Sequence, residues 1–192
     1  MSLRPALFLD RDGVINEEAG YLHRWEDCRI VDGIAPLIAH ANRLGYVTVV
    51  ITNQAGIGRG YYTEADFHIL MDKMSAALKE QGAHFDAIYF SPFHPEHGIG
   101  EYKQDTDCRK PGPGMLLRAA QEHGIDLARS VLVGDRCTDL AAGAAAGVQE
   151  LYLFGSTEIS PCAGKLSYTW INDLTLVQHR LLEKVEPSSL GS

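Results

Sequence analysis

The stretch Ala6-Leu7-Phe8-Leu9-Asp10-Arg11-Asp12-Gly13-Val14 constrains this chain more than any other. Four apolar residues run without a break into two carboxylates and a glycine. A short continuous apolar run reads as a strand buried on both faces, as in a parallel sheet. Such a strand ends at Asp10, and open α/β sheets bind ligands beyond the carboxyl ends of their strands. Residues at i and i+2 point the same way, so Asp10 and Asp12 leave the strand end together. Two carboxylates side by side repel unless a cation lies between them or one keeps a proton. Either outcome is chemistry: a hard divalent metal on oxygen ligands, or a nucleophile beside an acid. The competing reading is a strand followed by a polar Asp-Gly turn. The rest of the chain has to decide between them.

The 192 residues suffice for one well-buried domain and are short for two. With no repeat or linker in view, a single domain over 1–192 is expected, its core spanning about 5–184. Loose ends are expected at Met1-Ser2-Leu3 and at Ser188-Ser189-Leu190-Gly191-Ser192. Lys and Arg number 17 against 25 Asp and Glu, and the resulting net charge of −8 argues against nucleic acid as a partner. No apolar run approaches a membrane span and no charged-then-apolar leader opens the chain, so a cytoplasmic protein without a membrane partner is expected. Cys28, Cys108, Cys137 and Cys162 are widely spaced and form no C-x-x-C pair. That pattern suits reduced thiols rather than a disulfide framework.

Strand and helix patterns alternate along the chain. Asp32-Gly33 opens a helix through Ile34, Leu37, Ile38, Ala41 and Leu44, which Gly45 closes. Tyr46 to Ile51 is a β-branched strand ended by Thr52-Asn53-Gln54, and Gly56, Gly58 and Gly60 punctuate the loop that follows. Thr63, with Glu64 and Asp66, caps a helix over Ala65 to Gln81 whose apolar positions recur at helical spacing. Further strands are predicted at Ala87–Phe90, Ser130–Asp135, Gln149–Phe154 and Tyr168–Ile171. Helices are predicted at Met115–His123 and Asp139–Ala146, and after Asn172-Asp173. This order predicts an α/β fold of three layers, a mostly parallel sheet with helices on both faces. No insertion is long enough for a large cap domain.

The polar groups at the strand ends form a set: Asp10 and Asp12, Thr52-Asn53, Arg109-Lys110, and Asp135-Arg136 with Asp139. In a doubly wound sheet these ends share one edge, so residues far apart in sequence can line one pocket. The set resembles the phosphatases of the haloacid dehalogenase (HAD) superfamily, whose strand ends carry D-x-D, Thr or Ser, Lys and a final acidic motif. More narrowly, Phe8-Leu9-Asp10-Arg11-Asp12-Gly13, Thr52-Asn53-Gln54-Ala55-Gly56-Ile57 and Cys108-Arg109-Lys110-Pro111 resemble the heptose 1,7-bisphosphate phosphatases and the related histidinol-phosphate phosphatases. The likeness runs from about Ala6 to Phe154.

The resemblance implies a HAD-like Rossmannoid fold and a small sugar phosphate as substrate. Asp10 would attack phosphorus, while Asp12 protonates the leaving oxygen and then activates water. Mg²⁺ would be held by Asp10, the Asp12 backbone carbonyl and Asp135. Thr52 and Asn53 would donate to the transferring phosphoryl group, and Lys110 would neutralise its charge. Arg109 and Arg136 would grip phosphate or sugar, with Arg136 standing where relatives often carry Lys. Glu18, Ala19, Gly20 and Tyr21, with Gln54 and Ala55, would wall the sugar site. A monomer is expected.

One block departs from the resemblance. Such enzymes usually carry a zinc loop, C-x-H … C-x-C, and here the matching positions read Ser91, Phe93, Thr106 and Cys108. One thiol cannot make a tetrahedral zinc site; His94, His97 and Asp105 are the alternative ligands in the loop, and a metal-free loop is the leading expectation. Phosphoryl transfer needs the strand ends rather than this loop, which borders the sugar site and bears on substrate choice instead. The retained pattern at Glu18 to Tyr21 and Thr52 to Ala55 resembles the heptose enzymes, which implies hydrolysis of a heptose 1,7-bisphosphate at the 7-position, with histidinol phosphate or another phosphomonoester as the alternative substrate. A non-catalytic phosphate-sensing domain is the reading from a different class, and Asp12, poised as an acid, speaks against it.

Overall fold

The computed structural model describes residues 3–155, 162 and 166–183, so the loose ends expected at Met1-Ser2 and at 188–192 lie outside the described residues. Six strands form one sheet: β1 (Ala6–Leu9), β2 (Val47–Asn53), β3 (Ala87–Ser91), β4 (Val131–Gly134), β5 (Glu150–Phe154) and β6 (Thr169–Ile171). Every neighbouring pair is parallel, and their order is β3-β2-β1-β4-β5-β6. The connecting helices are α1 (Ile34–Arg43), α2 (Ala55–Gly58), α3 (Glu64–Lys79), α4 (Gly114–His123), α5 (Cys137–Ala146) and α6 (Thr175–Glu183).

Strand alternation sorts the core into two layers. Leu7 and Leu9 of β1 point into a cluster with Leu37 and Ile38 of α1, Phe67 and Met71 of α3, and Val177 and Leu181 of α6. Ala6 and Phe8 point the other way, into a cluster with Met115 and Leu116 of α4 and Leu140 of α5. All four β1 side chains are fully buried, which explains why that strand reads as an unbroken apolar run. The methionines of α3 are core packing, with Met71 and Met74 buried.

From β1 the chain winds outward through β2 and β3, then crosses back to β4 on the other side and winds outward again. The switch point lies between the carboxyl ends of β1 and β4, where such sheets place their ligands. Leu9 pairs with Val133, and the Asp10 N–H still donates to Val133 O at 3.1 Å. This register sets Asp10 beside the end of β4, next to Asp135.

The structure shifts several expected boundaries. β2 runs on through Thr52 and Asn53, because β3 continues alongside and pairs them with Phe90 and Ser91. The glycine-punctuated segment after it holds the short helix α2, where Gly56 serves close packing. A Cβ there would lie 2.3 Å from Cε1 of Tyr62. The cap of α3 forms as predicted: Thr63 Oγ1 accepts from the Asp66 N–H, and Asp66 Oδ2 accepts from the Thr63 N–H.

The expectation of four reduced thiols is overturned. Cys137, the first residue of α5, is disulfide-bonded to Cys162, with Cα atoms 5.4 Å apart; Cys28 and Cys108 stay free. The pair is separated by 25 residues, so no local spacing announces it. The tertiary fold, and not sequence proximity, sets Cys162 within bonding range of the start of α5. Among the described residues, no helix is long and apolar enough to cross a membrane.

Candidate active site

Three carboxylates and one amine meet at the switch point. Oxygens of Asp10, Asp135 and Asp139 lie within 4.8 Å of one another. Lys110 enters from the segment before α4, with Nζ 2.8 Å from Asp10, 2.6 Å from Asp139 and 2.9 Å from Ile51 O. Its side chain is only 2 % exposed. The backbone of Lys110 is fastened to the end of β2: Asn53 Oδ1 accepts its N–H and Asn53 Nδ2 donates to its carbonyl, both at 3.0 Å. Asp139 receives Lys110 on one oxygen, and its Oδ2 accepts the Arg136 N–H at 2.9 Å. It thus serves the start of α5 and the lysine together.

The electrostatics follow from this crowding. Burial is the largest influence on Asp10 and pushes its carboxyl up to about 8. Lys110 draws it back, while Asp139 and Asp135 add to the rise. Asp135 is pushed up to about 6, by burial first and by Asp139 next. Burial works against the charge of Lys110, yet Asp10 and Asp139 together hold it above the ordinary lysine range.

A divalent cation fits here on the donor chemistry alone. The cluster carries more negative charge than one lysine balances, and Asp135 Oδ1 is buried without a hydrogen-bond partner. Gly13, at φ +82°, admits Asp135: a Cβ at that position would lie 2.3 Å from Asp135 Oδ2. Oxygen-only ligands of this kind suit Mg²⁺.

Asp12, two residues beyond Asp10, is held by a separate set of donors. Arg11, 1 % exposed, reaches both carboxylate oxygens through Nη2, at 2.9 and 3.0 Å. Asn16 Nδ2 donates to Oδ1 at 3.1 Å and Gln54 Nε2 to Oδ2 at 3.0 Å. Gln54 also donates to Thr52 Oγ1 at 2.8 Å, joining the end of β2 to the acid.

A cavity of about 640 Å³ opens above these groups. It is lined by Asp10, Asp12, Glu18, Gly20, Tyr21, Asn53, Gln54, Ala55, Arg109, Lys110 and Arg136, so most of the expected site residues share one space. Thr52 lies buried beneath, and Ala19 is exposed on the segment that carries Glu18 and Gly20. Arg136 Nη2 pairs with Glu18 Oε2 at 2.7 Å, spanning the mouth between α5 and that segment. Arg109 Nη1 donates to Phe93 O at 3.1 Å.

Arg59, Tyr62 and His94 also line the cavity, and none of them is among the expected substrate-binding residues. Their nearest signal was a lone arginine among glycines and a histidine in a long loop. Cys108 Sγ lies 3.0 Å from Thr106 Oγ1 and 3.5 Å from Ser91 Oγ, while Phe93 packs on Tyr102. One thiol and two hydroxyls do not fit a tetrahedral zinc ion.

A parallel sheet with this acidic switch point is the arrangement expected of a HAD-type hydrolase, and residues 107–161 match the HAD-hydrolase-like family model. The D-glycero-alpha-D-manno-heptose-1,7-bisphosphate 7-phosphatase of Burkholderia mallei is 50% identical over 158 residues, covering 82% of this chain and 84% of that protein. The D-glycero-beta-D-manno-heptose-1,7-bisphosphate 7-phosphatase of Vibrio cholerae is 48% identical over 145 residues, 76% of this chain and 78% of that one. The crystal structure of D,D-heptose 1,7-bisphosphate phosphatase from B. bronchiseptica, complexed with magnesium and phosphate, superposes with a TM-score of 0.79 at 32% identity, covering 96% of this chain and 99% of that one. The chain belongs to the heptose-1,7-bisphosphate 7-phosphatase family of phosphoric monoester hydrolases.

Proposed function

We propose that this chain removes the 7-phosphate of a D-glycero-D-manno-heptose 1,7-bisphosphate through an aspartyl-phosphate on Asp10. The observation that carries the reading is the meeting of Asp10, Asp135 and Lys110 at the β1–β4 switch point, with Asp12 two residues further along. An Asp10 oxygen attacks phosphorus as the bond from phosphorus to the sugar oxygen breaks, and Asp12 gives that oxygen its proton. Water then attacks the phosphoenzyme. Asp12 takes the water's proton, the bond to Asp10 breaks and inorganic phosphate leaves.

Lys110 supports both steps by offsetting charge, and Asn53 holds Lys110 in place through its backbone. Thr52 is the candidate hydroxyl donor to the phosphoryl group. Mg²⁺ would be held by Asp10, Asp135 and the Asp12 carbonyl, and when bound supplies positive charge that favours ionised Asp10 and offsets the substrate phosphate. The Glu18–Arg136 pair and Arg109 border the sugar, with Arg59 and His94 on the same wall.

The test is Mg²⁺-dependent phosphate release from both anomers of the heptose bisphosphate, with histidinol phosphate and simple sugar phosphates as competitors. The bisphosphate is expected to have the highest kcat/KM, and faster turnover of histidinol phosphate would overturn the assignment. Asp10→Asn should lower release by at least about 10³-fold while leaving the circular dichroism spectrum unchanged. Substantial residual activity would exclude covalent catalysis at Asp10.

A further inference from the structure

Tyr62 is a buried hydroxyl that phosphoryl transfer as described above does not use. It lies seven residues beyond the start of α2, 7 % exposed, with its hydroxyl donating to Gln54 Oε1 at 2.5 Å. Its ring is clamped between His23, stacked at 5.2 Å and 6° from parallel, and the backbone of Gly56, where no Cβ could fit. Gln54 is itself 2 % exposed, and its amide is engaged by Tyr62, Asp12 and Thr52.

The orientation of that amide matters. With Oε1 engaged by Tyr62, Nε2 presents one hydrogen to Asp12 Oδ2 at 3.0 Å and the other to Thr52 Oγ1 at 2.8 Å. Turned over, the amide would point an oxygen at a carboxylate, which is repulsive. Burial pushes the Tyr62 hydroxyl up to about 12, so it remains a donor throughout the working pH range. Arg11 and Asn16 also hold Asp12, but from the side of Asn16 and Leu22. Gln54 ties the acid to the end of β2, where the phosphoryl group would be received.

We infer that Tyr62 is a positioning residue: by fixing the Gln54 amide it aims the Asp12 carboxyl at the leaving oxygen and holds it in register with Thr52. The inference rests on the phosphatase reading above and extends it to a side chain outside the strand-end set. Its consequence is specific to leaving groups. An alkoxide needs a proton from Asp12 as the phosphorus–oxygen bond breaks, whereas a nitrophenolate departs without one.

The experiment measures kcat/KM of the Mg²⁺-loaded enzyme for the heptose bisphosphate and for 4-nitrophenyl phosphate, which reports steps up to formation of the phosphoenzyme. Tyr62→Phe should lower kcat/KM on the sugar substrate by about 10- to 100-fold, carried by kcat. The nitrophenyl ester should change by no more than about 3-fold, because its step needs no acid. Gln54→Ala should give the same selective loss, and combining it with Tyr62→Phe should add nothing further, because the hydroxyl acts only through that amide. Equal losses on both esters would mean general distortion and would overturn the inference, as would no loss on either. Failure of the underlying reading shows separately, in the wild-type enzyme, as no Mg²⁺-dependent release from either ester.

Discussion

Replacing Lys110 with methionine removes the one amine among the buried carboxylates while keeping most of the side chain's volume. The structure sets the size of the effect. Lys110 Nζ makes two ion pairs, at 2.8 Å to Asp10 and 2.6 Å to Asp139, in surroundings where it is 2 % exposed. Removing one partner of a buried ion pair costs about 3–5 kcal/mol, since the remaining charge has neither solvent nor counter-ion. For a chain of this size each kcal/mol is worth about 2–4 °C, so a fall in Tm of about 6–20 °C is expected near pH 8 without metal.

The pH dependence separates charge from packing. The Asp10 carboxyl is raised in the folded protein, to about 8, so its contribution to stability is present in acid and is lost as pH rises through that value. Without Lys110, the influence that draws it down is gone, and the loss continues to higher pH than in the wild type. Differential scanning calorimetry of Lys110→Met should therefore show a larger deficit near pH 8 than near pH 5. Saturating Mg²⁺ should recover part of the deficit at the higher pH, by supplying a counter-charge that the folded state alone binds. An equal deficit at both pH values, unmoved by Mg²⁺, would show that the lysine matters only as packing and would refute the charge argument.

Two further outcomes follow from the same geometry. Mg²⁺ affinity, measured by isothermal titration calorimetry, should weaken as pH falls from about 8 to about 5, because protons compete for Asp10 and Asp135, both raised by burial; an affinity independent of pH over that range would contradict it. Thiol titration of the unfolded, unreduced chain should find two reactive thiols, Cys28 and Cys108, rising to four after reduction; four from the outset would dispose of the Cys137–Cys162 bond.

What could be read from the chain alone was whatever near neighbours dictate. The apolar run ending at Asp10 declares a strand buried on both faces, and Ala6/Phe8 and Leu7/Leu9 divide between two helical layers because side chains alternate. Thr63 and Asp66 are three apart, within reach of one helical turn, so their reciprocal cap was legible too. The strand-end groups Asp10, Asp12, Thr52, Lys110 and Asp135 were visible as a set, since a parallel sheet brings its carboxyl ends to one edge.

Tertiary packing decided the rest, because those contacts join residues whose separation along the chain carries no period. Asn53 turns its amide to the backbone of Lys110, 57 residues away, and Gln54 turns inward to Asp12 and Thr52 under the hydroxyl of Tyr62. Arg59 and His94 reach the cavity only once their loops close over the sheet. Cys137 and Cys162 meet for the same reason. Backbone periodicity chooses the elements and their ends; the direction a polar side chain takes there depends on which donors the fold brings within hydrogen-bond range.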